Sequence, residues 1–298
     1  MKIYVANSQS KNVSVIDTTT NNVCATIATG DGPVNPTVSP DGRQIYVSNM
    51  LGSTISVIDV ATDRVTSTID VAADAPSGLA VTPDGQRLVV SLLGDNPKAP
   101  GAVRIIKLAN GEMTSLIPVQ VQPERIALTP DGKRAYVVNL MTECLSVIDI
   151  DRAETIARIP LGKLPFNVVV SPDGKKVYVG NVESNSIAVV DIASNKLVNT
   201  IDTEAGPNGM TFGPDHRSLY ITNQFANKVQ IIDLHTGRES MTSDVGDKPG
   251  FIKLTHDGKR AYFTRPHGDA VSVMDTATLA ITATIPVGAG PSTVAISH

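Results

Sequence analysis

The stretch Ser39-Pro40-Asp41-Gly42, followed by Ile45-Tyr46-Val47-Ser48-Asn49 and then Ser56-Val57-Ile58-Asp59, is the clearest copy of a phrase that recurs along the whole chain. The residue after its Tyr returns as Val5, Val47, Val90, Val137, Val179, Ile221 and Phe263, in steps of 42, 43, 47, 42, 42 and 42 residues. A fixed period of this length marks a repeat architecture, in which each copy is one supersecondary unit that needs its neighbours to bury its apolar faces. The repeat also aligns the chain with itself. Positions common to the copies belong to the scaffold, and function is sought where one copy departs from the rest.

Each copy contains four short runs rich in Val, Ile, Thr and Tyr, as expected for strands on pleated, half-buried surfaces. In the second copy these runs fall near 34–39, 44–49, 54–59 and 64–71; we call them A, B, C and D. Pro-Asp-Gly joins A to B at 40–42, 83–85, 130–132 and 172–174, with variants Pro214-Asp215-His216 and His256-Asp257-Gly258. Pro presets φ, Asp caps the turn, and Gly supplies the left-handed conformation. No segment carries a helical period. Seven four-stranded antiparallel units predict an all-β, seven-bladed β-propeller occupying residues 1–298 as a single domain. The chain starts in a strand B and ends in a strand A, Gly290 to Ser297. This tail is therefore expected to fill the innermost position of blade 1 and close the ring, which removes an edge strand.

The units Ile3-Tyr4-Val5-Ala6-Asn7, Ile45 to Asn49, Val177-Tyr178-Val179-Gly180-Asn181 and Leu219-Tyr220-Ile221-Thr222-Asn223, with the Ser-Val-Ile-Asp and Ser-Pro-Asp-Gly elements, resemble the YVTN β-propeller repeat. The resemblance covers essentially the whole chain. It implies the seven-bladed fold and a family that includes surface-layer and secreted propellers and relatives of lactonase-like enzymes. WD40 propellers share the period, but their Gly-His and Trp-Asp marks are missing, and the chain has no Trp.

A net charge of −4 and only 4 % aromatic residues argue against nucleic acid as a partner. No apolar run approaches the ~18 residues of a membrane span. No signal peptide is visible before the first repeat. A cytoplasmic location is thus expected if Met1 is the native start, and a periplasmic or secreted one if a leader was removed. Cys24 and Cys144 occupy different repeat positions in non-neighbouring copies, so both are expected as free thiols. Without paired His/Cys spacing, neither a metal site nor a cofactor is expected.

Three departures from the repeat fall on the face that carries the D–A and B–C connections, here the top. Blade 3 has a longer B–C link, 92–101, a candidate lid at 93–101. After the Pro that opens strand A, the copies read Val34-Asn35, Ser77-Gly78, Glu124-Arg125, Phe166-Asn167, Asn208-Gly209, Gly250-Phe251 and Ser292-Thr293. Only blade 4 carries charges there, and Arg125 is the natural clamp for a carboxylate or phosphate. At the end of strand B, five copies have Asn, whereas blade 7 has Arg265 followed by Pro266-His267. Blades 4 and 7 lie almost opposite in a seven-membered ring, so Arg125 and Arg265 are expected to face each other across the mouth.

The expected ligand-binding set is Arg125, Arg265, Asn35, Asn167, Asn208, Phe166 and Phe251, with Glu143 and Glu183 completing a polar funnel. The reading that follows is a binding module holding a small anionic metabolite or an acidic partner segment at the top mouth. One alternative is a metal-independent lyase, hydrolase or cyclase in the same funnel, with His267 or Glu124 as acid–base. Another is a structural or surface-layer repeat domain.

Overall fold

A computed structural model describes residues 1–72, 75–94, 96 and 98–297. Seven four-stranded antiparallel sheets form the blades of a propeller. Blade 2 shows the common plan, with strands Pro33–Val38, Gln44–Asn49, Thr54–Asp59 and Arg64–Asp70 ordered from the channel outward. Blade 1 combines Lys2–Asn7, Asn12–Asp17 and Asn22–Ala28 with the C-terminal strand Pro291–Ile296. The closing pair runs antiparallel, with Ile3 opposite Ile296, Tyr4 opposite Ala295 and Val5 opposite Val294. The expected closure is therefore the observed one. No helix among the described residues is long and apolar enough to cross a membrane.

The strand pattern follows from the ring. A blade is covered on both faces by its neighbours, so strands B and C read as nearly continuous apolar runs rather than as an alternation. Alternate residues still point opposite ways. Ile3, Val5 and Ile16 pack toward blade 7 against Tyr262, Val271 and Val273. Tyr4, Ala6, Val13 and Val15 pack toward blade 2 against Ile45, Val47 and Ile58. Each such Val or Ile contributes about 1.5–3 kcal/mol by leaving water. The outermost strand has one free face, and Arg64–Asp70 is accordingly mostly exposed.

Polar groups set the register between blades. The Tyr4 hydroxyl donates to Asp63 in blade 2 (2.8 Å), and the Tyr262 hydroxyl donates to Asn21 in blade 1 (2.8 Å). Burial and the Asp63 carboxylate push the Tyr4 hydroxyl pKa up, which keeps it a donor. Lys2 joins the same carboxylate at 2.7 Å. In the A–B turn of blade 2, Asp41 accepts from Ser39 Oγ (2.6 Å) and the Arg43 amide (3.1 Å), while Gly42 takes φ 71°. Blade 6 places His216 at the same point with φ 55°.

Candidate functional site

The channel wall is built by the seven strands A, and their height is set by hydroxyls near the end of strand B. Ser48 Oγ donates to the Ser77 carbonyl of the next blade (2.7 Å), and Ser91 Oγ donates to the Glu124 carbonyl (2.6 Å). Thr222 does the same for the Gly250 carbonyl. Close approach completes the arrangement at two glycines. A Cβ on Gly78 would lie 2.1 Å from the Glu124 carbonyl oxygen, and one on Gly209 would lie 2.7 Å from the Phe251 Cα. Bare backbone at these points seats Glu124-Arg125 and Gly250-Phe251 on the wall.

Arg125 extends across the channel. Its guanidinium carbon is 4.0 Å from the ring centre of Phe251 in blade 7 and 5.7 Å from that of Phe166 in blade 5. The two rings are 5.8 Å apart and tilted by 49°. Blades 4 and 7 are not neighbours, so this contact spans the axis. The Arg125 Nε is buried and has no hydrogen-bond partner. Burial brings the Arg125 pKa down to about 10, against the opposing pull of the Glu124 carboxylate. That carboxylate is itself engaged, accepting from Ser77 Oγ at 2.7 Å.

Arg125 and Phe251 line a chamber of about 130 Å³ with Asn35, Asn167, Thr293 and Lys253. Lys253 belongs to the next inward layer, two residues below Phe251. The other copies place Thr37, Ala80, Ala127, Val169, Thr211 and Ala295 at that layer, so one blade alone carries a charge there. Lys253 is exposed only toward the channel, with protein packed densely around it. The enclosure decides its electrostatics: burial first, then the Arg125 charge, lowers its pKa. It forms no ion pair or hydrogen bond with any described residue.

The remaining expected residues are distributed as follows. Asn35 donates to the Ser77 carbonyl (2.8 Å), and Asn167 accepts from the Val168 amide (2.9 Å). Asn208 donates to Gln224 (3.1 Å) and does not line the chamber. Glu143, Glu183 and His267 are exposed in the B–C connections, away from the chamber lining.

Arg265 takes a different place from the one its repeat position suggested. In blade 2, Asn49 at the same position is fully buried and donates to Thr54 (3.0 Å) and Ser56 (2.9 Å). Arg265 bonds Ser272 at the corresponding point of strand C, and its Nη2 donates to the Val245 carbonyl (2.6 Å). Its guanidinium thus fills the capping role of the Asn, and Arg265 does not line the chamber that holds Arg125. The charge opposite Arg125 comes from Lys253 instead. In the blade 3 link, residues 95 and 97 lie outside the described residues, so the candidate lid is not placed as a whole.

Residues 157–298 match the family described as YNCE-like beta-propeller. The seven-bladed fold of the chain agrees with that match. A comparison with curated proteins found no match. Among solved structures, Kuenenia stuttgartiensis hydrazine synthase superimposes with a TM-score of 0.78 at 25 % identity, over 88 % of each chain. A functionally unknown protein from Desulfotomaculum acetoxidans DSM 771 gives 0.87 at 18 % identity, over 100 % of this chain and 99 % of that one. Dihydro-heme d1 dehydrogenase NirN in complex with DHE gives 0.71 at 19 % identity, over 99 % of this chain and 74 % of that one. At 18 and 19 % identity, the latter two likenesses show the fold alone.

Proposed function

We propose that this seven-bladed propeller is a binding module that holds a small anionic ligand at Arg125, in the upper part of the central channel. One observation carries this reading: a guanidinium lies across the channel with a buried Nε that no protein group satisfies. A buried donor without a partner costs free energy, and an arginine in that state offers a planar fork to a carboxylate or phosphate. Phe251 and Phe166 hold the fork in one orientation, so little side-chain entropy is lost when an anion arrives. The Glu124 carboxylate does not fill the role, because Ser77 holds it on the rim.

The enzymatic alternative draws no support from His267, which is exposed on its turn. A thermal-shift screen tests the binding reading. Anionic metabolites are expected to raise the melting temperature of the wild type and to leave Arg125→Ala unmoved. Hits that are neutral or cationic, or that persist in Arg125→Ala, would contradict it.

A further inference from the structure

We infer that Lys253 and Arg125 form one two-cation chamber inside the channel, and that its ligand is a single small oxyanion of carboxylate, phosphate or sulfate size. This inference rests on the Arg125 reading and narrows its ligand class. Three observations support it beyond Arg125 itself.

The first is the isolation of Lys253. An ammonium carries three donors, and none of them meets a described protein group. The charge that acts on it is that of Arg125, a like charge that makes its own protonation harder. Two enclosed cations without a shared carboxylate are mutually unfavourable until an anion lies between them. The second observation is size. About 130 Å³ is the liquid volume of roughly four waters. It lies below the ~300 Å³ at which pockets for drug-sized ligands begin, and it excludes a peptide segment. The third is access. Above, the Arg125–Phe251 contact crosses the axis. Below, a wider vestibule of about 440 Å³ shares Lys253, Thr37, Leu79 and Ile126 with the chamber. Lys253 therefore stands between the vestibule and the chamber, where it meets an anion entering from the face opposite the expected mouth.

Calorimetric titration with inorganic phosphate and with sulfate tests the chamber, using the full chain as wild type, Lys253→Met, Lys253→Arg and Arg125→Met. The wild type is expected to take up one anion per chain. A lost charge-assisted contact weakens binding by at least ~10-fold in Lys253→Met. Lys253→Arg, which keeps the cation, is expected to stay within about 3-fold of the wild type. Thermal melts of the four proteins establish that each is folded. If Lys253→Met binds like the wild type while Arg125→Met does not, the two-cation inference fails and the Arg125 reading stands. If neither substitution changes binding, both fall. If a tetraglutamate peptide binds and neither inorganic anion does, the ligand is a chain segment and the chamber inference is overturned.

Discussion

If Arg125 is retained for a ligand, removing its charge makes the empty ring more stable. The substitution Arg125→Met leaves a flexible apolar chain against Phe251 and takes away the guanidinium. The fall of the Arg125 pKa from arginine's ordinary value to about 10 corresponds to about 3 kcal/mol held against the charged form. Water in the channel screens part of this, so about 1–2 kcal/mol is a fair discount. Loss of the stacking on Phe251, with its 4.0 Å approach, removes about 0.5–1 kcal/mol. The balance is a gain near ~1 kcal/mol, which in a chain of this size raises the melting temperature by about 2 °C. Differential scanning calorimetry in an uncharged-zwitterion buffer of low chloride reads it directly. A drop of about 2 °C or more would instead make Arg125 a structural residue and not one held for a ligand.

Three further outcomes follow from the scaffold. His216 sits at φ 55° with its side chain exposed; His216→Gly removes ~1–2 kcal/mol of left-handed strain against ~0.5–1 kcal/mol of added chain entropy, so urea denaturation should show a net gain. Gly78→Ala places a Cβ 2.1 Å from the Glu124 carbonyl, and that backbone clash should cost more than ~3 kcal/mol, read as a shifted urea midpoint and lost anion binding. The turn carboxylates Asp41, Asp59 and Asp191 are lowered mainly by side-chain hydrogen bonds, and the Arg217 bond holds Asp233 at about 2. A depressed carboxylate pKa gives stability that is complete above the unfolded value and is lost as pH falls through the folded one. Melting temperature should therefore hold down to about pH 4 and fall between there and about 2, while a profile flat to pH 2 would contradict these assignments.

The fold was legible because its information is repeated. The copies around Val5, Val47 and Val179 share apolar runs, turn chemistry and spacing, and the strand A left over at the C-terminus specified how the ring closes. The site was legible only in part. Arg125 stood out because a charge replaces small or polar residues right after the strand-opening proline. The signal of Lys253 falls outside that pair, two residues further on, where the other copies read Thr37, Ala80, Ala127, Val169, Thr211 and Ala295. Strand alternation returns every second side chain to the same surface, so the layer below the pair faces the same channel. Arg265 shows the opposite difficulty. It is an exception by identity, but Ser272 and the Val245 carbonyl give it the work its Asn counterparts do. A repeat reveals where a residue differs, not whether the difference changes its partners.

On the function proposed above, the channel holds an anion between Arg125 and Lys253. Anomalous diffraction from crystals of the wild type soaked in selenate tests it most directly. One selenium peak is expected inside the channel, within hydrogen-bonding distance of both side chains and absent from Lys253→Met crystals. A channel holding only water at saturating selenate, or a selenium peak confined to the outer surface, would contradict it.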